Sequence, residues 1–337
     1  MIRIGVLGTS GIAERRMIPA IRKEASFQYA GVGFSTSAEM GFSGTEAEFA
    51  PLLAEKKKKA ARIQSAFGGR CYESYDQLLS DPEIDAVYIA LPPALHFRWA
   101  GEALRRGKHV LLEKPFTTRR EDTEGLLGLA KEKNLAMVEN YGFPLHAQMD
   151  IIRRWLAEDA IGELRQVRAT FGFPHRDAGD FRYNRALGGG ALLDCGGYTL
   201  KAATVILGPE TEILAASSRI TEGHEVDIAG NVLMKSREGI CAQLAYGMDH
   251  DYRCELELWG SRGTITAGRF FTAPDGFPAP VCLKRNQETE EKTACDDQFL
   301  RIVQHFGACI ASPEVREKER NSILLQGRLT ERVRSFG

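Results

Sequence analysis

Ile2-Arg3-Ile4-Gly5-Val6-Leu7 runs straight into Gly8-Thr9-Ser10-Gly11-Ile12-Ala13, and that junction constrains the fold more than any other stretch of the chain. An apolar strand that leaves through small residues into a helix-period segment (12–23) has no hairpin partner. Its neighbours in a sheet must be reached by crossover, so they run parallel to it. The rhythm that follows obeys this requirement. Strands are expected at 27–34, 86–91, 110–113 and 136–140, with helices at 75–79, 95–106 and 119–133 between them. Gly107 is placed to cap the helix at 95–106. Strands and helices alternating in this way predict βαβ units and an α/β, doubly wound parallel sheet. Segment 36–49 breaks the rhythm and reads as an insertion ahead of a helix over Glu46–Phe67.

The opening turn has a chemical reading as well. Gly8, Thr9, Ser10, Gly11, Ile12 and Ala13 fill the G-x-G-x-x-G/A frame, with Ser10 in the second glycine position. That frame lets backbone approach a pyrophosphate whose charge rests on the helix N-terminus. A plain β–α turn needing small residues is the blander reading, and the strand-before, helix-after context favours the nucleotide. An NAD-selective site places an acid at the end of the second strand. Here that strand ends Gly33-Phe34-Ser35-Thr36, with no acid before Glu39. Ser35 and its hydroxyl neighbours therefore favour NADP(H) over NAD(H), although no arginine follows to hold the extra phosphate. One lysine of the run Lys56-Lys57-Lys58-Lys59 supplies that charge if the insertion folds back; a solvated helix face is the plainer reading of the run.

After residue 140 the texture changes. A helix at 150–158, a strand at Leu164–Gly172 and a helix ending at 202–207 precede strands at 213–219, 229–236, 240–246 and 254–259. Neighbouring strands in succession predict a large, mainly antiparallel open sheet with one face on helices. Helices at 297–311 and 320–333 close the chain. At 337 residues the chain is long for one core. The expected organisation is a dinucleotide-binding Rossmann domain at 1–140 and an α+β substrate and oligomerisation domain at 141–337.

Two further segments carry chemistry. Val110-Leu111-Leu112-Glu113-Lys114-Pro115 puts a lysine at the carboxyl end of a parallel strand, the edge where ligands of open α/β sheets bind. A lysine there can stabilise a developing oxyanion and lower the pKa of a nearby phenol; a surface lysine at a loop start is the alternative. Leu187-Gly188-Gly189-Gly190-Ala191-Leu192-Leu193-Asp194-Cys195-Gly196-Gly197-Tyr198 gathers five glycines about a carboxylate and a phenol. A free phenol titrates at about 10, so Tyr198 at the start of a helix needs a cation or the helix dipole to act near neutrality. Asp194 is placed to orient a substrate hydroxyl or the tyrosine; a capping Asp and a half-buried Tyr are the alternatives.

Taken together, Ile12-Ala13, Leu91-Pro92-Pro93 with His96, Glu113-Lys114-Pro115 and Gly189-Gly190-Ala191-Leu192-Leu193-Asp194 resemble the Gfo/Idh/MocA family, the glucose–fructose oxidoreductase and inositol dehydrogenase group. The resemblance spans nearly the whole chain. It implies a Rossmann domain plus an α+β domain whose sheet often serves in oligomerisation. It also implies a cofactor site of Gly8, Thr9, Ser10, Gly11, Ile12, Ala13, Ser35, Leu91, Pro92, His96, Glu113 and Lys114. Many members carry a histidine four residues after the aspartate, where this chain has Tyr198. That departure, with Ile12-Ala13-Glu14-Arg15-Arg16, Glu139-Asn140-Tyr141, Asp180-Phe181-Arg182-Tyr183 and Gly247-Met248-Asp249-His250, is similar to the nucleotide-diphosphate-hexose 3-ketoreductase branch. In that branch a lysine and a tyrosine are the implied proton-handling pair, and NADP(H) the usual cofactor.

The resulting expectation is an NAD(P)H-dependent oxidoreductase that reduces a ketone on a hexose, a nucleotide-linked 3-ketosugar being the favoured substrate, with Lys114, Tyr198 and Asp194 catalytic. Arg182, Tyr183, Tyr141 and His146 are the substrate-binding candidates, and His250 a further site liner. Oxidation of a free sugar or polyol by NAD(P)+ with Lys114 as base, an NAD-assisted glycosidase and a non-catalytic nucleotide sensor are the competing readings.

Composition narrows the partners. A net charge of −1 leaves no basic field for nucleic acid. No apolar run reaches the about 18 residues of a membrane span, and the N-terminal apolar stretch is too short for a signal peptide. Seven cysteines, odd in number and without a C-x-x-C pair, suit reduced thiols in the cytoplasm. No His or Cys spacing suggests a metal site. The predicted sheet favours a homodimer or homotetramer over a monomer.

Overall fold

Parallel strands buried on both faces form the first sheet, in a computed structural model that describes residues 1–177 and 179–336. β1 (Ile2–Leu7) is buried from Ile4 onward, as a strand covered by helices on both sides must be. A π-helical turn at Ala13–Met17 runs into α1 (Ile18–Lys23). β2 (Phe27–Gly33), α2 (Ser37–Met40), α3 (Glu46–Phe67), β3 (Arg70–Tyr72) and α4 (Tyr75–Ser80) follow. Then come β4 (Ala86–Ile89), α5 (His96–Arg105), β5 (His109–Leu112), α6 (Arg120–Glu132) and β6 (Met137–Glu139). Every pairing in this sheet is parallel, in the order β3-β2-β1-β4-β5-β6. The order reverses between β1 and β4, which makes their carboxyl ends the switch point of a doubly wound fold.

The second sheet belongs to a separate unit. It follows α7 (Ala147–Ala157) and comprises β7 (Leu164–Gly172), β8 (Thr211–Arg219), β9 (Ala229–Ser236), β10 (Cys241–Gly247), β11 (Arg253–Gly260), β12 (Thr264–Gly268), β13 (Ala279–Arg285) and β14 (Glu288–Ala294). α8 (Gly197–Leu207) lies between β7 and β8 in the chain. The order is β14-β13-β12-β11-β7-β10-β9-β8, antiparallel except where β7 meets β10. Burial alternates along β9, β10 and β11, the mark of a sheet with one covered face. α7 and α8 lie against it, and Val167, Leu244 and Leu256 point into the core between them.

The chain closes on α9 (Gln298–Ala311) and α10 (Pro313–Arg334). The first compact unit is 1–117, 121–140 and 302–323; the second is 118–120, 141–301 and 324–337. Phe306, fully buried, stacks on Phe27 of the first unit with centroids 5.8 Å apart. Arg316 donates to the carbonyl of Asn134 at 2.8 Å.

α2, β3, β12, β13 and β14 were not read from sequence, and α10 was placed too late in the chain. β3 is a three-residue edge strand behind Gly68-Gly69, too short to show a period. β14, Glu288-Thr289-Glu290-Glu291-Lys292-Thr293-Ala294, is almost wholly exposed and is organised by pairing with β13 rather than by apolar alternation. α10 begins at Pro313, not 320, because proline starts a helix whose first turns carry no apolar stripe.

Within the first unit, His305 Nε2 lies 3.0 Å from the Glu319 carboxylate. Burial alone would push this imidazole down, but the Cys309 thiol and Glu319 override it and hold the pKa up at about 10. A folded-state pKa above the unfolded value contributes stability in full below about 6.5 and loses it as pH rises towards 10. Glu319→Gln is expected to lower stability near pH 7 by roughly 1–3 kcal/mol and to flatten its decline between pH 7 and 10. Urea unfolding across that pH range measures both.

Candidate active site

In the first unit the predicted cofactor residues gather at strand ends. Gly8 has φ +100°, and a Cβ there would lie 2.9 Å from the Ala90 carbonyl oxygen, so no other residue fits. Ser10, in the second glycine position, accepts the Ala13 N–H on its hydroxyl at 3.2 Å and starts the helix. Gly11 is exposed and Ile12 half-buried at that helix start. A close-approach glycine before an open helix N-terminus is the donor arrangement a pyrophosphate needs, so these residues fit a dinucleotide.

At the start of α5, His96 is fully buried, with Nε2 2.9 Å from the Leu91 carbonyl and Nδ1 2.9 Å from that of Pro115. Burial pushes this imidazole down, and a neutral ring donates to only one of the two. His96 thus ties Leu91 and Pro92 to the loop that carries Lys114. Glu113 accepts from the Tyr88 hydroxyl and, at 2.6 Å, from the Asn140 amide. Burial raises the Glu113 carboxyl, against those bonds and the Lys114 charge. Glu139 accepts the Phe116 N–H at 2.8 Å. Lys114 itself is half-buried, two residues past β5. At the end of β2, buried Ser35 accepts from Lys56 Nζ at 2.8 Å.

The glycine-rich segment lies in the second unit. Tyr198 is the second residue of α8, as expected, but helical backbone begins earlier. A π-helical turn over Leu192–Gly196 precedes α8, so helical backbone starts near Ala191. The helix dipole fades within the first turn, and Tyr198 lies beyond it. Its ring is instead held by others: edge-on to Tyr141 at 4.8 Å and to Phe171 at 5.1 Å, with Phe143 and Phe271 tilted against it. Asp194 accepts from Arg182 Nε at 2.7 Å, and Arg182 also pairs with Asp180 at 3.1 Å. Burial opposes this guanidinium's charge, and the carboxylates of Asp194 and Asp180 more than restore it.

The remaining candidates have plainer surroundings. The Tyr183 hydroxyl accepts the Arg176 N–H at 2.9 Å, and its ring stacks on His175 at 4.7 Å. His146 is 1 % exposed and caps α7, Nδ1 accepting from Gln148 N–H. His250 lines a small cavity with Phe171, Gly230 and Tyr246. Among the described residues, no group of three or more His, Cys, Asp or Glu is placed to hold a metal ion.

Sequence reasoning missed Asp227. Its carboxylate accepts the Leu192 N–H at 2.7 Å, and its carbonyl accepts the Ala191 N–H at 2.8 Å. Gly190, with φ +119°, brings the chain past this carboxylate, and a Cβ there would lie 2.5 Å from Asp227 Oδ1. Asp227 is therefore the cap that starts the helix carrying Asp194 and Tyr198. No local motif announces it, since it lies 35 residues from its partner Leu192.

A doubly wound sheet with a dinucleotide turn, joined in one chain to an open-sheet α+β unit, defines a nicotinamide-dependent oxidoreductase of two-domain type. Residues 2–141 match the oxidoreductase family with an NAD-binding Rossmann fold, and residues 149–266 match the GFO/IDH/MocA C-terminal domain. The chain belongs to the Gfo/Idh/MocA family. It is 39% identical to a dTDP-3,4-didehydro-2,6-dideoxy-alpha-D-glucose 3-reductase of Saccharopolyspora spinosa, over 98% of this chain and 96% of that one. The enzyme of the same description from Actinomadura kijaniata is 36% identical over 99% of this chain and 95% of that one. Among solved structures it is similar to KijD10, a 3-ketoreductase from Actinomadura kijaniata in complex with NADP and TDP-benzene. The TM-score is 0.89 at 35% identity, covering 99% of this chain and 97% of that one.

Removing the Asp227 cap should loosen this helix start. Asp227→Ala is expected to cost about 1–2 kcal/mol, in the range for a lost N-cap, and Asp227→Asn less than half of that. Urea unfolding followed by circular dichroism measures both.

Proposed function

We propose that this protein is an NADPH-dependent reductase of a nucleoside-diphosphate-linked 3-ketohexose, of the dTDP-3,4-didehydro-2,6-dideoxyglucose type. The observation that carries the reading is similarity along almost the full chain to sugar-nucleotide 3-reductases. NADPH, when bound, supplies the hydride for the carbonyl carbon. Gly8, Thr9, Ser10, Gly11, Ile12 and Ala13 hold its pyrophosphate, and Leu91, Pro92 and His96 shape the floor beside it. Tyr198 donates its phenolic proton to the forming alkoxide. Lys114 stabilises the oxyanion as its charge develops. Asp194, held by Arg182, keeps the helix face near Tyr198 polar, while Tyr141 fixes the ring of Tyr198 and Tyr183 borders the sugar-nucleotide.

The aromatic clamp on Tyr198 supports this assignment, because a proton donor fixed in one orientation needs little reorganisation in the transition state. Seven cysteines, none in a disulfide among the described residues, suit a reducing compartment, and the reading assigns the enzyme to the cytoplasm. No helix among the described residues is long and apolar enough to cross a membrane. The uncovered face of the second sheet carries exposed Trp259 and Leu214, and we assign it to contact between copies in a homodimer or homotetramer. Trp259→Glu is then expected to shift sedimentation towards the monomer.

Lys114→Ala and Tyr198→Phe are each expected to lower kcat by about a hundred- to ten-thousandfold, with NADPH affinity within a few-fold of wild type. The assay is NADPH consumption with a dTDP-linked 3-ketohexose, run beside NADP+ reduction with free sugars and polyols. Unchanged turnover in both variants sinks the residue assignment; activity confined to free sugars in the oxidative direction sinks the reductase reading.

A further inference from the structure

The end of β2 differs from an NAD-selective site in two respects. The first concerns Glu39, the first acid in the chain after β2. Glu39 is 7% exposed, and its carboxylate is committed to backbone: Oε2 accepts the N–H of Thr36 at 2.9 Å and of Tyr75 at 3.2 Å, and Oε1 accepts that of Asp76 at 2.9 Å. Thr36 returns the bond to the Glu39 N–H, closing a capping box around α2. A carboxylate already accepting three backbone N–H groups is not placed to receive a ribose 2′-hydroxyl as well. The inserted turn has turned the acid inward.

The second concerns the lysine run on α3. Lys57 pairs with Glu73 at 3.7 Å and Lys59 with Glu55 at 2.6 Å, while Lys58 is exposed. Lys56 instead lies on the same helical stripe as buried Phe49, Ala60 and Ile63, spaced in multiples of a turn. It reaches back across the inserted segment to Ser35, donating to the hydroxyl at 2.8 Å. Ser35 is fully buried and stands two residues beyond β2, the position at which adenosine ribose selectivity is set in this fold. An ammonium group has three N–H donors, and those that Ser35 does not take meet no acceptor among the described residues. Among the described residues Lys56 also has no carboxylate within ion-pair distance, unlike Lys57 and Lys59.

We propose that Lys56, together with Ser35, forms the seat of the adenosine 2′-phosphate and is the residue that sets preference for NADPH over NADH. The cation that other sites take from the β2 loop comes here from a helix 21 residues further on. The 2′-phosphate receives charge-assisted bonds from Lys56 and a hydroxyl bond from Ser35. Burial, and then the charge of Lys59, push the Lys56 ammonium down, with Glu55 and Glu39 pulling weakly the other way. A dianionic group supplies the partner that this half-buried cation lacks.

This inference rests on the reductase reading only in taking a nicotinamide dinucleotide as cofactor. The test is isothermal titration of wild type, Lys56→Ala, Lys56→Arg and Ser35→Ala with NADPH, NADH, adenosine 2′,5′-bisphosphate and 5′-AMP. Circular dichroism and melting confirm the fold; alanine suits the helix at position 56. Lys56→Ala is expected to weaken NADPH and the bisphosphate by about ten- to a hundredfold, the worth of one hydrogen bond to a charged group. NADH and 5′-AMP should move less than about twofold, and Lys56→Arg should recover most of the NADPH affinity. A wild type that binds NADH as tightly as NADPH, or an NADPH:NADH ratio unchanged in Lys56→Ala, overturns the proposal and leaves the reductase reading standing. Binding of neither dinucleotide to wild type overturns both.

Discussion

A parallel sheet covered by helices on both faces offers its strand ends to ligands, and the chemistry of the first unit follows from that constraint. Gly8 follows β1, Ser35 follows β2, Leu91 follows β4, Lys114 follows β5 and Asn140 follows β6. None of these positions is close to another in sequence. They form one edge because every strand runs the same way, which the crossover helices impose. The switch in order between β1 and β4 opens the crevice beside Gly8. Loop residues at that edge are free to carry function, while Val6, Val87 and Leu111 behind them are buried and committed to the core.

Buried acids organise both units, and each does so by accepting from backbone or amide groups rather than by facing a ligand. Glu39 holds three N–H groups around the start of α2 and α4. Glu139 holds the N–H of Phe116 in the loop after Lys114. Asp227 holds the start of the glycine-rich helix in the second unit. Orphan N–H groups at helix starts and in loops are costly when buried, and a carboxylate with several donors offsets its own desolvation. These acids set where Ser35, Lys114 and Tyr198 stand. Substitutions at these acids are thus able to move the residues to which we assign the chemistry.

Much of the first unit was legible because its signals are local. The turn at Gly8-Thr9-Ser10-Gly11, the helix over Glu46–Phe67 and, in the second unit, the strand at Leu164–Gly172 are read from period and small residues alone. β14 was not legible, since its charged residues become a strand only by pairing with β13. The surroundings of Tyr198 were half legible. The motif marks the tyrosine, but Phe143, Phe171 and Phe271 read as ordinary core residues until the fold brings them against its ring. Arg182 is marked by its neighbours, and its bond to Asp194 across twelve residues is a tertiary fact.

By itself the sequence determined the parallel architecture and the dinucleotide turn, and marked Lys114 and Tyr198 as candidates, because strand period, small residues and motif spacing act over a few residues. Tertiary structure decided which acid caps which helix, that Lys56 alone of its run turns inward to Ser35, and that residues 302–323 join the first unit. Those outcomes depend on which buried polar groups find partners across distant segments, and no local pattern encodes that choice. The insertion at 36–49 shows both halves of the lesson. Its sequence announced only an interruption, and its fold turned Glu39 inward, where three backbone N–H groups satisfy the charge that burial would otherwise penalise.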